Sequence, residues 1–349
     1  MLNNVGAALF IVAICIAGPA KAFSQATDFQ KAMISFQQEH WAECATAFQN
    51  VENQRPGATD ALLYAGKCLI NLGEFQDAAA ALQAYMTAHP QSEDGAYLIA
   101  YVRFRQDKPR ESLALYTNAG KIKPPTADDL KIVALDYVLL NDFADAGRYL
   151  EIALKLEPGN LEARYHLGRV RYEQNRFDQA IAAFQEVLKR DPSNVKAEEN
   201  LGLCLEAKNE MDQAISAYRK AIEFDTAAKT HTEQPYLDMG TLLVKLNHAE
   251  KAVPVLSQAI EINPKSSKVR YELGKAYFDM NRLPDAKTEA EKAASLNPDD
   301  VPTHYLLGRI YQRLGKSDLA AQQFKLTETL TRSQETKSGI MGMGVGEAK

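Results

Sequence analysis

The side chains that most often carry catalysis or bind metal ions are scattered along this chain rather than grouped. None of its six histidines lies three or four residues from another. The sequence contains no H-E-x-x-H or C-x-x-C pair, no G-x-x-x-x-G-K loop and no G-x-S-x-G turn. Because catalysis needs groups that converge on one cavity, we predict no catalytic residues, no metal site and no cofactor.

The glycine-rich end of the chain is the remaining candidate for a phosphate loop. It contains G-M-G-V-G at residues 342–346. A phosphate loop needs a strand before it and a helix after it, and neither is predicted here. We therefore expect residues 335–349 to form a flexible tail.

A period of 34 residues organises the chain from residue 25 to residue 334. Residue 8 of every copy is Ala or Gly, and residue 20 is Ala, Ser or Cys. Two helices approach closely only where side chains are small, so the pattern predicts nine helix–helix crossings. The copies begin at Gln25, Thr59, Glu93, Ala127, Leu161, Val195, Glu233, Ser267 and Val301.

Two further positions mark where the helices of each copy end. Position 15 is Gly, Asn or Asp in every copy except the first, where it is Glu39. Gly, Asn and Asp tolerate the left-handed backbone that ends a helix, so position 15 should form the turn. Position 32 is Pro in seven copies, which stops the second helix.

This order of residues resembles the tetratricopeptide repeat family, whose repeat carries Leu-Gly, then Ala, an aromatic residue, Ala and Pro. The resemblance covers residues 25–334. It implies an all-α fold, an α-solenoid in which helix-turn-helix units form a right-handed superhelix. The fifth copy carries the motif at Leu167, Gly168, Ala180, Phe184, Val187 and Pro192.

Four additional residues divide the nine copies into two groups. We predict repeats 1–6 over residues 25–228, an insertion at 229–232, and repeats 7–9 over residues 233–334. The polar stretch 226–235 lacks the usual Pro. We expect a local change of superhelical pitch there, and a hinge is the stronger form of this hypothesis.

In this family the first helix of each repeat lines the concave surface, and the resemblance places positions 2, 5, 9, 12 and 13 on it. Helical geometry puts these positions on one stripe, here called the inner stripe. Tyr and Arg on such a stripe contribute strongly to interfaces. The predicted partner-binding residues are Tyr97, Tyr101, Phe104, Arg105, Tyr165, Arg169, Tyr172, Lys268, Tyr271, Lys275, Phe278, Tyr305, Arg309 and Arg313.

Basic residues dominate the inner stripe of repeats 8 and 9, where Asp279 is the one acid. We therefore predict that this end receives an acidic or carboxylate-bearing segment of a protein or peptide. The alternative is that the tyrosines pack on adjacent helices while the basic groups are simply solvated.

Residues 1–22 lie outside the periodic pattern. The apolar run Val5–Ala17 is followed by Gly18-Pro19 and by Ala20-Lys21-Ala22. This order is typical of a secretory signal peptide, which predicts an exported protein, periplasmic or secreted. The run is shorter than the roughly 20 residues that span a bilayer. No Lys or Arg precedes it, so an uncleaved membrane anchor over residues 5–20 stays open.

The net charge bears on the classes of partner, and the cysteine content bears on the cellular compartment. The net charge of −5 with interspersed signs does not indicate nonspecific binding to nucleic acid or to an anionic membrane. Cleavage after residue 22 would leave Cys44, Cys68 and Cys204, all at core positions. An oxidising compartment would permit a Cys44–Cys68 disulfide across neighbouring repeats, and an odd count leaves at least one free thiol.

Three functions are compatible with these features. The first is an exported scaffold that binds a protein or peptide in its groove. The second keeps the N-terminal segment and makes the protein a membrane-anchored envelope assembly factor. A small-molecule binder or enzyme would need a polar cluster that converges from adjacent repeats, and the inner stripe offers aromatic and basic residues instead.

Overall fold

The fold is built from helices alone. The computed structural model describes residues 19–57 and 60–343, and its side chains from 28 to 336 apart from 58 and 59. Within these ranges the chain forms eighteen α-helices and no strand, so the prediction of an all-α solenoid is confirmed. The helices are α1 (Pro19–Gln37), α2 (Trp41–Gln54), α3 (Ala61–Leu72), α4 (Phe75–Ala88), α5 (Glu93–Arg105), α6 (Pro109–Ile122), α7 (Ala127–Leu139), α8 (Phe143–Leu156), α9 (Leu161–Glu173), α10 (Phe177–Arg190), α11 (Val195–Ala207), α12 (Met211–Ala228), α13 (Gln234–Lys245), α14 (Ala249–Ile262), α15 (Ser267–Asp279), α16 (Leu283–Leu296), α17 (Val301–Arg313) and α18 (Ser317–Met343).

The described residues fold as two compact units, the first extending to Ala163 and the second starting at Arg164. Unit 1 holds α1 to α8 and the first residues of α9, and unit 2 holds the rest of α9 and α10 to α18. The boundary between the units therefore lies in α9 and not at residues 229–232. The predicted grouping of the repeats around that insertion stays a prediction.

The turn between the two helices of each repeat forms at position 15. The backbone there has a positive φ in all nine copies, between 57° and 79°. Glu39 adopts this conformation as well, with φ 58°, although Glu is not a residue type that favours it. The sequence therefore predicted the turn even in the copy that departs from the pattern.

The small residue at position 8 makes room for the bulky residue at position 24. A Cβ added to Gly202 would lie 2.6 Å from Cε1 of Tyr218, and one added to Gly308 would lie 2.5 Å from Cε1 of Phe324. In the eighth copy position 24 is Ala290. A Cβ added to Gly274 would there meet the backbone, at 3.3 Å from the nitrogen of Ala290.

Position 20 of one repeat and position 10 of the next supply the contact between repeats. The structure joins Cys44 at position 20 to Cys68 at position 10 by a disulfide, with a Cα–Cα distance of 6.1 Å. Cys204, also at position 10, is a buried free thiol, and burial raises the pKa of this thiol to about 12. Its thiol is therefore protonated and unreactive near neutral pH.

The first and the last copy each carry a polar residue at a position that is apolar or aromatic in the other copies. Position 7 is apolar from the second copy to the ninth, but in the first copy it is the exposed Lys31. Position 27 carries buried residues such as Val51 and Ala293, but in the last copy it is the half-buried Thr327. Helix α18 continues to Met343, so residues 335–343 of the predicted tail are helical, and its flexibility stays a prediction.

The carboxylate of Asp225 holds the insertion together. Asp225 is buried and accepts hydrogen bonds from the hydroxyls of Thr230 and Thr232 and from the backbone N–H of Thr232. Burial raises the pKa of Asp225, but these hydrogen bonds outweigh it and leave the pKa below its usual value. Lys229 and His231 adopt left-handed backbone conformations, with φ 54° and 52°, so this short loop depends on the Asp225 contacts.

Replacing Asp225 by Ala should loosen the insertion, because Thr230 and Thr232 lose their shared acceptor. Hydrogen bonds to a charged group contribute about 1.5–3 kcal/mol, so the amides of residues 226–233 should exchange much faster in Asp225→Ala. The control is Glu223→Ala, which removes an exposed carboxylate from the same helix. Because the pKa of Asp225 is lowered, its contribution is present near neutral pH and is lost as the pH falls through that pKa. Equal exchange in both variants would contradict this role.

Candidate functional site

In unit 1, one residue of the second repeat and three of the third form a cluster, here called the aromatic patch. Its members are Phe75, Tyr101, Phe104 and Arg105. The Arg105 guanidinium carbon lies 4.3 Å from the ring centroid of Phe75 and 5.8 Å from that of Tyr101. Its Nη1 also donates a hydrogen bond of 2.8 Å to the Tyr101 hydroxyl. The Tyr101 and Phe104 ring centroids are 6.3 Å apart. The patch therefore presents an exposed cation held between two rings.

Sequence reasoning missed Phe75 as a member of the aromatic patch. Phe75 begins the second helix of the preceding repeat, so its place beside Arg105 depends on how the two repeats pack. The available signal was position 17, which carries aromatic or aliphatic residues in most copies. That signal indicates packing and says nothing about a neighbouring arginine.

Tyr97, the fourth predicted residue of this repeat, has a structural contact instead. Its hydroxyl donates a 2.6 Å hydrogen bond to the backbone oxygen of Lys123, and its ring centroid lies 5.9 Å from that of Tyr116. Burial raises the pKa of Tyr97. Tyr97 therefore supports the connection between α6 and α7.

In unit 2, the two predicted tyrosines of the fifth repeat also pack on adjacent helices. Tyr165 and Tyr172 are half-buried, with ring centroids 5.8 Å from Phe184 and 5.6 Å from Phe177 respectively. Burial raises the pKa of both hydroxyls. Arg169 is the predicted residue of this repeat that is exposed, so it is the one that a partner reaches without moving other side chains.

Two carboxyl groups of unit 2, Glu199 and Asp238, have raised pKa values. Burial raises the pKa of Glu199 to about 7, and the nearby negative charge of Asp238 adds to the effect. Burial also raises the pKa of Asp238 to about 6. Sequence reasoning missed both groups, although Glu199 stands at position 5 of the inner stripe, where four other copies carry Tyr.

The basic end of unit 2 contains two arginines stacked on one ring, here called the stacked arginine pair. The guanidinium carbons of Arg309 and Arg313 lie 4.8 and 4.6 Å from the ring centroid of Phe278. Arg313 also donates a 3.3 Å hydrogen bond to the backbone oxygen of Phe278. Both arginines are exposed, and neither has a carboxylate partner among the described residues. The pair therefore concentrates positive charge that is not neutralised within the described part of the chain.

Phe278 itself was predicted to contact a partner, and the structure gives it another place. Its side chain is 4% exposed, because α16 and α17 cover it in the core of the last repeats. Phe278 is therefore the support on which the two arginines lie.

The other predicted residues of the basic end differ in exposure. Lys268 is exposed, while Tyr271 and Lys275 are half-buried. Lys275 lies 4.0 Å from a carboxylate oxygen of Glu272. Tyr305 is 51% exposed and packs one side of its ring at 5.9 Å from the ring centroid of Phe324. Lys268 and Tyr305 are thus the most exposed residues of this set.

The described ranges contain neither a cluster of metal ligands nor a helix suited to cross a membrane. No group of three or more His, Cys, Asp or Glu side chains there has an arrangement that would hold a metal ion. None of the helices in the same ranges combines the length and apolar character needed to cross a bilayer. The apolar run Val5–Ala17 lies outside the described residues.

Family models identify the repeats across both units. Three models, each described as "Tetratricopeptide repeat", match the chain and together cover more than half of it. They match at residues 29–93 and 167–229, at 137–186 and 243–300, and at 289–322.

Curated proteins that are similar to this chain match only part of it. Anaphase-promoting complex subunit 3 of Schizosaccharomyces pombe is 26% identical over 92 residues, which are 26% of this chain and 14% of that protein. Tetratricopeptide repeat protein 7A of Homo sapiens is 29% identical over 115 residues, or 33% and 13%. The chain thus covers a small part of the length of these relatives.

Among solved structures, the Cut9–Hcn1 heterotetramer of the anaphase-promoting complex is similar with a TM-score of 0.57. The identity is 14%, and the match covers 84% of this chain and 57% of that one. A likeness at this identity shows the fold alone.

Asp238→Asn should lower the pKa of Glu199, because the negative charge of Asp238 opposes ionisation of Glu199. NMR titration of the side-chain carboxyl carbons would measure this pKa, which is about 7 in the parent. Glu173→Gln, which neutralises an exposed acid of the same inner stripe, should leave it unchanged. If Glu199 titrates identically in the parent and in Asp238→Asn, the two carboxyls are not coupled.

Proposed function

We propose that this chain, which belongs to the tetratricopeptide repeat family, is a non-enzymatic scaffold that binds a protein or peptide outside the cytoplasm. The inner stripes of its two units are the proposed binding surfaces. The observation that carries the proposal is the stacked arginine pair, because two exposed guanidiniums stand together without a carboxylate partner in the described part of the chain.

An acidic segment is the partner that fits the stacked arginine pair. A guanidinium donates two parallel hydrogen bonds to a carboxylate, and such charge-assisted bonds are stronger than neutral ones. Stacking on Phe278 restricts both side chains before a partner arrives, which reduces the entropy lost on binding. Lys268 and Lys275 lie on the same inner stripe and add positive charge. The repeat 8–9 end therefore receives a segment that carries Asp, Glu or a terminal carboxylate.

The aromatic patch of unit 1 is the second proposed contact surface. Its rings are half-buried, and its exposed Arg105 is already oriented by Phe75 and by the Tyr101 hydroxyl. Aromatic rings and arginines of this kind bind through large, rigid contact areas. This surface fits apolar or aromatic side chains with a neighbouring acceptor group.

Replacing both Arg309 and Arg313 by Gln should weaken binding of an acidic peptide at least tenfold. The probe is a labelled peptide with four consecutive acidic residues, and fluorescence anisotropy at low and moderate salt measures its affinity. Each lost charge-assisted hydrogen bond contributes on the order of 1.5–3 kcal/mol, and tenfold corresponds to about 1.4 kcal/mol.

Two further variants distinguish a specific site from general attraction. Arg219→Gln with Lys251→Gln removes two exposed cations from second helices of unit 2, away from the inner stripe, and changes the net charge equally. Phe278→Leu keeps the charges but removes the ring, and should cause a smaller loss. Equal loss for both charge-removing pairs would show nonspecific attraction and contradict the proposed site.

The Cys44–Cys68 disulfide supports an exported location. Disulfides persist in oxidising compartments and are rare in the cytosol. Both sulfurs are buried between α2 and α3, so the bond belongs to the core of unit 1. Together with the A-x-A pattern at residues 20–22, it favours a periplasmic or secreted protein.

The intact mass of the protein isolated from its native source should correspond to residues 23–349 less two hydrogens. The loss of residues 1–22 reports cleavage, and the two missing hydrogens report the disulfide. A mass that retains residues 1–22 would favour the membrane-anchored envelope factor. A fully reduced protein would contradict export to an oxidising compartment.

A further inference from the structure

A carboxyl group stands in the fourth repeat at a position that is otherwise apolar or cysteine. Asp136 occupies position 10, where the second to ninth copies elsewhere carry Cys, Val, Leu, Ala or Ile, all buried. Asp136 is itself fully buried, with an exposed fraction of 0%. Across from it, at position 20 of the third repeat, is Ser112 on α6, also fully buried. This pair is equivalent to the disulfide-bonded pair of the first two repeats.

Neither carboxyl oxygen of Asp136 has a hydrogen-bond partner among the described residues. The Ser112 hydroxyl lies close enough to lower the pKa of Asp136, but its proton is donated to the backbone oxygen of Ala100 at 3.1 Å. Burial has the larger effect and raises the pKa of Asp136 to about 7. A buried carboxylate without partners is far less stable than the neutral acid.

The groups around Asp136 do not offer it a counterion. From α6, Ser112 and Tyr116 face it. Tyr97 and Tyr101 of α5 and Asp129 of α7 act on the hydroxyl of Tyr116, and none of them is a cation. From α8, which also packs on α7, no titratable or charged group within the described ranges acts on Asp136; its Asp145 and Arg148 pair with each other at 3.1 Å. On α7 itself, Lys131 is occupied by Asp128 and Glu162.

We propose that Asp136 is a pH-sensitive latch between the third and fourth repeats. In its neutral form the carboxyl is tolerated in the core, and α6 stays packed on α7. In its ionised form the buried charge has no hydrogen-bond partner among the described residues, so the contact between α6 and α7 loosens to admit solvent.

Two tyrosines, Tyr116 and Tyr97, connect the latch to the surface of unit 1. Tyr116 lies beside Asp136 and is 6% exposed, and its ring contacts that of Tyr97 at 5.9 Å. Tyr97 in turn holds the backbone oxygen of Lys123 in the α6–α7 connection. Loosening at Asp136 therefore reaches α5 through these two tyrosines. This inference concerns conformation and does not rest on the proposed partner.

The sign of the pH dependence follows from the direction of the shift. The unfolded chain releases the Asp136 proton near pH 4, whereas the folded chain keeps it up to about pH 7. Between these values the folded state binds one more proton than the opened state. The equilibrium constant for opening therefore rises with pH, by up to about tenfold for each pH unit, and levels off above pH 7.

Amide hydrogen exchange between pH 5 and pH 8 tests the latch in the full chain. Protection factors, which correct for the intrinsic pH dependence of exchange, should fall with rising pH in α6 and α7 of the parent. In Asp136→Asn, which keeps the shape and removes the charge, they should stay level over the same range. Asp136→Val, with the residue type of position 10 in the third and fifth repeats, should behave in the same way.

The equivalent contact of the eighth repeat provides the internal control. Ala252 and Ala276 occupy positions 20 and 10 there, and protection in α14 and α15 should not differ between the parent and the variants. A parent whose α6 and α7 protection is independent of pH would overturn the proposal. So would a pH dependence that persists unchanged in Asp136→Asn or Asp136→Val.

Discussion

The close approach of the two helices in each repeat is the constraint on which the rest of the fold depends. One helix contributes almost no side chain at position 8, and the other fills the space from position 24, as Tyr218 does against Gly202. A Cβ at Gly202 would overlap the Tyr218 ring, so the spacing of the helices follows from the size of these two residues. These positions are committed to packing. Side chains that could bind a partner or titrate are therefore expected on the inner stripe, or as polar residues at core positions.

The sequence predicted the features that repeat and missed those that depend on neighbouring repeats. The turn at position 15 was predictable because it depends on local backbone conformation, and it formed even at Glu39. The burial of Phe278 was not predictable, since position 12 lies on the inner stripe of an isolated helix and is covered only by the next repeat. The same reason hides Phe75, and also Glu199, whose pKa reflects Asp238 on another helix.

Tyrosines on the inner stripe are more involved in packing than the arginines are. Tyr165 and Tyr172 contribute much of their ring surface to the core, because a flat ring is large enough to reach adjacent helices. An arginine at the same surface keeps its charged group in water and stacks only one face on a ring, as Arg309 does on Phe278. Charge that is oriented but unpaired distinguishes a binding residue from a packing residue more sharply than residue type does.

The contact between position 20 of one repeat and position 10 of the next is made by three kinds of side-chain pair. In the first two repeats it is a covalent bond, in most later repeats it is apolar packing, and between the third and fourth it contains a carboxyl without a partner. In a repeat array each repeat contacts only its neighbours, so a change at one such contact acts locally. The disulfide therefore joins α2 to α3, the proposed latch at Asp136 acts on α6 and α7, and the contact of Ala252 with Ala276 contains no titratable side chain. One packing rule thus allows different contacts in different places, because it keeps position 20 small and leaves the polarity of the residue that meets it open.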